Sequence, residues 1–161
     1  MLKKIIFLIL LISLIMSACS SSKTISKKPA KKPVSKVDKI VANAMQYRGV
    51  GYKFGGTTKR GMDCSGIVYV AYGSQNVLLP RISRDMAKRG KKVSLNKVKK
   101  GDLLFFKTNK GRRSINHVGL VVSHQKGVIR FIHSTTSRGV IVSSLLEKYW
   151  KNSFVKATRI L

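Results

Sequence analysis

Hydrophobic positions are distributed unevenly along the chain. An apolar run from Ile5 to Met16 follows Lys3-Lys4 and ends in Ser17-Ala18-Cys19. It is too short to span a bilayer and has the form of an export signal. From Ser20 to Lys36 the only large apolar residues are Ile25 and Val34, among Ser, Lys, Pro, Thr and Ala. That composition predicts an extended spacer, stiffened by Pro29 and Pro33 and held open by like charges. Periodicity begins at Val37. Residues 37, 40, 41, 44 and 45 form one helical stripe, preceded by Ser35-Lys36-Val37-Asp38 with capping-box spacing. A second apolar segment, Ile67 to Tyr72, stops at Gly73 and reads as a buried helix with Asp63 as its N-cap. Ser83 then looks like the cap of a short helix reaching Gly90.

The second half of the chain is patterned in strands. Leu103–Phe106, His117–Ser123, Val128–Ser134, Gly139–Val142 and Phe154–Ile160 read as strands, Leu145–Trp150 as a helical or turn segment, and 107–114 as a polar loop. His124-Gln125-Lys126-Gly127 is a connection of hairpin length. Pairing centred on Gln125 sets His117 against His133, Gly119 against Phe131 and Val121 against Ile129. Opposed side chains share a sheet face, so this register makes neighbours of two histidines. A slip of one residue separates them. His124 is expected in the turn, as a solvated bystander.

Charge narrows the class of partner. The 161 residues make one domain and carry 33 Lys and Arg against five acids, a formal +28. Such a chain attracts polyanions: nucleic acid, anionic headgroups or a carboxylate-bearing polymer. No helix-turn-helix, zinc-finger or aromatic RNA-binding pattern is present, so no specific nucleic-acid partner is expected. Cys19 after small residues resembles a bacterial lipobox, with Met16 where Leu is usual. A lipid on Cys19 would tether the domain to a membrane. It would also leave Cys64 without a disulfide partner. A free thiol in an exported protein points to catalysis.

Candidate chemistry centres on Gly61-Met62-Asp63-Cys64-Ser65-Gly66. Cys64 falls in the first turn of the predicted helix, where unpaired N–H groups and the helix dipole favour a thiolate. His117 and His133 then offer a base and the group that orients it. The same residues read instead as a buried structural cysteine and a histidine pair, or as three metal ligands, although no zinc spacing is present. Tyr52 in Gly51-Tyr52-Lys53-Phe54-Gly55-Gly56 is either a core aromatic or a hydroxyl aimed beside Cys64.

These motifs, with Leu79-Pro80-Arg81, Gly101-Asp102-Leu103-Leu104-Phe105-Phe106, His117-Val118-Gly119-Leu120 and Phe131-Ile132-His133-Ser134, strongly resemble the NlpC family of bacterial cell-wall cysteine peptidases, from about Ile40 to Ile160. The resemblance implies a papain-like α+β fold in which N-terminal helices pack on a small antiparallel sheet. It implies Cys64 as nucleophile, His117 as general base and His133 as its orienting partner. Tyr52 would serve substrate or oxyanion, and Asp63 and Ser65 would line the cleft. Met86 stands where the family often has Gln. The expected organisation is a signal peptide over 1–18, a lipidated Cys19 and basic tether over 19–36, and the peptidase domain over 37–161. The expected activity is hydrolysis of an amide bond in peptidoglycan stem peptides, without metal or organic cofactor. The protein would act as a monomer in the cell envelope, facing the periplasm from the outer membrane or, without one, at the cell surface. The rivals are a wall-binding lipoprotein and an acyltransferase or amidase on the same machinery.

Overall fold

The computed structural model describes residues 33–108 and 114–161. The apolar run, Cys19 and most of the lysine-rich spacer lie outside the described residues. Helix α1 (Lys36–Met45) starts where the capping pattern places it: Ser35 Oγ accepts the Asp38 N–H at 3.0 Å, and the Ser35 hydroxyl donates to the Asp38 carboxylate at 2.7 Å. Its Ile40, Val41 and Ala44 are buried. After a short hairpin of β1 (Thr57–Thr58) and β2 (Gly61–Met62), helix α2 (Cys64–Gly73) buries Ile67, Val68, Ala71 and Tyr72. Helix α3 (Ser83–Met86) is one turn long, shorter than its sequence pattern suggests. Met86 is fully buried among apolar side chains.

Six antiparallel strands make the main sheet: β3 (Lys91–Val93), β4 (Leu103–Phe106), β5 (His117–Gln125), β6 (Val128–Thr135), β7 (Gly139–Ser144) and β8 (Phe154–Arg159), with α4 (Lys148–Ser153) before β8. Their order is β3-β8-β4-β5-β6-β7. Strand β3 escapes a hydrophobic reading because two of its three residues are exposed lysines. Charged residues on an edge strand discourage pairing with another chain.

Alternation divides the apolar residues between two faces. Phe105, Val118, Leu120 and Ile132 meet α1 and α2 on one face. Leu104, Phe106, Val121 and Phe131 meet Leu145 and Trp150 on the other. This is the α+β arrangement expected. The imidazoles of His117 and His133 pack with Phe106, Phe131 and Trp150, on the face away from α2.

The β5–β6 register also differs from the expected one. The turn is Lys126-Gly127, both at positive φ, so Gln125 pairs with Val128. Such two-residue turns match the twist of paired strands. That register alone would put His117 and His133 on opposite faces. A bulge between Val121 and Ser123 adds one residue, and beyond it Val121 faces Phe131 rather than Ile129. An inserted residue shifts the side-chain phase by one, which restores both histidines to a single face. His124 is not in the turn but in β5, with Nδ1 2.7 Å from the Val98 carbonyl oxygen.

Continuing the ladder from Leu120–Ile132 sets Gly119 opposite His133. A Cβ on Gly119 would collide with the fully buried Phe131 ring. Gly119→Ala is therefore expected to destabilise the fold by about 1–3 kcal/mol in equilibrium denaturation, the usual range for overpacking.

Candidate active site

The position of Cys64 is built by a clamp around Asp63. This residue is extended (φ −98°, ψ 174°), and its Oδ1 accepts the Gly66 N–H at 2.6 Å, capping α2. Arg81 grips both carboxylate oxygens, Nη1 to Oδ1 at 3.0 Å and Nη2 to Oδ2 at 2.8 Å. Oδ2 also accepts the Gly55 N–H at 2.8 Å. Ser65 closes the cluster, donating to Asp63 Oδ1 at 3.1 Å and accepting from Arg81 Nη1 at 2.9 Å. Bidentate pairing of this kind fixes geometry as well as charge. It ties the glycine loop to the start of α2 and sets Cys64 in the first turn. Ser134 next to His133 donates to the Met62 carbonyl at 2.8 Å, which binds this segment to the end of β6.

Cys64 and His117 line one cavity of about 610 Å³, with Tyr52 and Trp150 on its wall. Cys64 reaches it from the helix on one face of the sheet, and His117 from the other face at the start of β5. His117 Nε2 lies 2.9 Å from His133 Nδ1, which leaves Nδ1 of His117 as the nitrogen available to the thiol. Trp150 stacks on His117 with centroids 5.2 Å apart and meets His133 edge-on at 4.5 Å. Three of the expected residues, Cys64, His117 and Tyr52, thus face one space. His133 stands behind His117 and is fully buried. Asp63 and Ser65 do not line the cavity but are turned into the Arg81 clamp.

Burial governs the protonation states. It pushes the Cys64 thiol up, and the nearby Asp63 charge adds to this, outweighing the backbone N–H groups at Val118, Ser65 and Cys64. The depressed thiol expected from the helix N-terminus is not what the resting site has. Burial lowers His117 to about 4 and lowers His133 as well, with the charges of His117 and Arg138 adding to the latter. Tyr52 is raised by burial and by Cys64 and Asp63, so its hydroxyl is a donor at neutral pH. For Asp63, burial acts upward, but the Arg81 hydrogen bonds and charge and the Gly66 N–H prevail and hold it below the usual carboxylate range. No group of three or more His, Cys, Asp or Glu among the described residues could hold a metal ion. Nε2 of His117 and Nδ1 of His133 are already engaged with each other.

A model of the NlpC/P60 family matches residues 49–159. The chain belongs to the NlpC/P60 family. It is 38% identical over 124 residues to an Escherichia coli protein named murein DD-endopeptidase MepS/murein LD-carboxypeptidase, covering 76% of this chain and 62% of that one. Over 126 residues it is 36% identical to a probable endopeptidase NlpC homolog of Haemophilus influenzae, covering 77% and 63%. The chain thus spans a little over three fifths of these NlpC/P60 relatives. A crystal structure of a Bacillus cereus NlpC/P60 family protein superposes with a TM-score of 0.71 at 29% identity, over 80% of this chain and 41% of that one.

Other contributors escaped a reading of the sequence. Arg81 is distant in sequence from the carboxylate it grips, and Ser143 contacts His133 Nε2 at 3.0 Å from a third strand. Trp150 is packed into the core, yet its indole also forms a wall of the site.

Two outcomes follow from these protonation states. Asp63→Asn is expected to lower stability at neutral pH by about 1–3 kcal/mol. Because the folded carboxyl is depressed, its contribution is present above the ordinary value near 4 and disappears as pH falls through the lowered one. Unfolding followed from about pH 5 downward should therefore be less pH-sensitive in Asp63→Asn than in the wild type. Alkylation of Cys64 by iodoacetamide, followed by peptide mapping, should be slow at pH 7 and climb above about pH 9.

Proposed function

We propose that this chain is a peptidoglycan endopeptidase that hydrolyses an amide bond in the stem peptides by thiol chemistry. The observation that carries the reading is the shared cavity: a half-buried sulfur at the start of a helix beside a buried histidine whose far nitrogen is already bonded. The names of its relatives, murein endopeptidases among them, support the same substrate class.

In this reading His117 Nδ1 takes the proton of Cys64 as the sulfur attacks the scissile carbonyl. Lowering by burial keeps His117 uncharged at neutral pH, the form a base requires. Backbone N–H groups at the start of α2 and the Tyr52 hydroxyl hold the developing oxyanion. His117 then passes its proton to the leaving amine. Water, activated by the same imidazole, releases the acyl group and restores the thiol. His133 orients His117 throughout. Asp63, Ser65 and Arg81 hold the nucleophile's turn in place without touching substrate. Metal and organic cofactor have no part in this sequence. A lipid on Cys19 would hold the domain to a membrane within the cell envelope, outer-membrane and facing the periplasm in a two-membrane cell. The basic spacer would let a monomeric domain reach the wall.

Cys64→Ala and His117→Ala are each expected to reduce release of soluble fragments from purified sacculi by about a thousandfold or more, with the fold retained by circular dichroism. Unchanged release by Cys64→Ala would overturn the proposal. For the wild type the acid limb of the rate, set by His117 in the free enzyme, should lie toward about pH 4 rather than near the ordinary imidazole value of 6.5.

A further inference from the structure

Beyond the two imidazoles lies a third member of the hydrogen-bonded chain. Ser143 on β7 is 3% exposed, and its Oγ is 3.0 Å from His133 Nε2, on the side away from His117. The neighbouring bond, His133 Nδ1 to His117 Nε2, is 2.9 Å. Each of these bonds holds one proton, and each neutral imidazole carries one N–H. The direction of one bond therefore fixes the direction of the next.

Two arrangements satisfy the chain. In the first, His117 carries its proton on Nε2 and donates to His133 Nδ1, and His133 carries its proton on Nε2 and donates to Ser143 Oγ. Nδ1 of His117 is then a bare lone pair facing the cavity. In the second, the Ser143 hydroxyl donates to His133 Nε2, His133 donates from Nδ1 to His117 Nε2, and the His117 proton sits on Nδ1. Only the first leaves a base for Cys64.

We propose that Ser143 is a positioning residue that sets the tautomer of His117 through His133, by accepting the His133 Nε2–H. This inference rests on the thiol mechanism above. When the Cys64 proton moves to His117 Nδ1, the site holds one thiolate and one imidazolium. The His117 Nε2 proton can then shift to His133 Nδ1, which carries the positive charge to His133 while its Nε2–H stays on Ser143. Return of the proton to the leaving amine reverses the shift. A neutral hydroxyl suits this task where a carboxylate would not: it accepts a proton's hydrogen bond without holding either buried ring charged at rest. The charged and titratable groups acting on His133 are His117 on β5 and Arg138 in the β6–β7 turn, while Phe131 and Trp150 beside it are uncharged.

The test compares the full-length wild type with Ser143→Ala and Ser143→Thr. Imidazole 15N chemical shifts at pH 7 read the tautomers directly, and kinetics on a cross-linked stem-peptide fragment read their consequence. The wild type should carry the proton on Nε2 of both His117 and His133. Ser143→Ala should mix the tautomers, lower kcat by about tenfold to a hundredfold with KM little changed, and shift the acid limb. Ser143→Thr, which keeps the hydroxyl, should restore all three. The proposal is overturned if Ser143→Ala is folded and leaves tautomers and pH profile as in the wild type, or if the wild type carries its His117 proton on Nδ1. Correct tautomers with no turnover of any stem peptide would instead sink the peptidase reading and leave this assignment standing.

Discussion

A hydrogen bond between two buried, uncharged imidazoles is the interaction on which the site depends. It requires His117 and His133 to share a face of the β5–β6 ladder, and that face is decided by a single extra residue at Val122. The same bond requires a stiff surrounding, since a ring free to rotate would lose its partner. Trp150, Phe106 and Phe131 supply it by packing around the pair. Gly119 contributes by omission, leaving the space that the Phe131 ring occupies. The sheet therefore serves the site through its phase and packing as much as through its strands.

Cys64 and His117 come from opposite faces of that sheet, which explains the elaborate bonding of the loop before α2. A helix lying on one face can reach a histidine on the other only at the end of the strands, where its first turn projects past the edge of the layer. The Asp63–Arg81–Ser65 clamp and the Ser134 bond to Met62 hold that turn in place. Burying a carboxylate beside Cys64 raises the thiol, so the clamp has an electrostatic cost there. Pairing with Arg81 limits it, because the guanidinium neutralises most of the Asp63 charge.

Much of the fold was legible because its elements obey local rules. The Ser35 cap, the apolar run of α2 and the strand Leu103–Phe106 all lie where periodicity and capping put them. Motifs single out Cys64, His117 and Tyr52, and the three line one cavity. What sequence could not supply was phase and long-range partnership. Pairing about Gln125 names the right two histidines through the wrong register: the actual turn shifts the pairing by an odd number of residues, which reverses the face, and the bulge shifts it by one more, which restores it. Arg81 and Ser143 meet their partners across 18 and 10 residues, with no local pattern to announce either contact. The thiol differs from its expected state for a related reason. A helix N-terminus is visible in sequence, whereas the desolvation that overrides it depends on tertiary packing.

That override has a consequence for how such a site works. Burial shifts Cys64 upward and His117 downward, so both changes favour the neutral thiol and neutral imidazole over the ion pair. A resting thiolate would be the target of every oxidant and electrophile in an oxidising compartment. A neutral thiol is not. In the proposed mechanism reactivity would arise with substrate, when the carbonyl gives the sulfur's charge somewhere to go and the oxyanion meets donors already in place. In that mechanism the lowered pKa of His117 would weaken it as a base but leave it uncharged at neutral pH, and a proton accepted from the thiol would then be readily surrendered to the leaving amine. The balance between a weak base and a reluctant acid is acceptable only if the base is aimed without error. The rigid imidazole pair provides that aim.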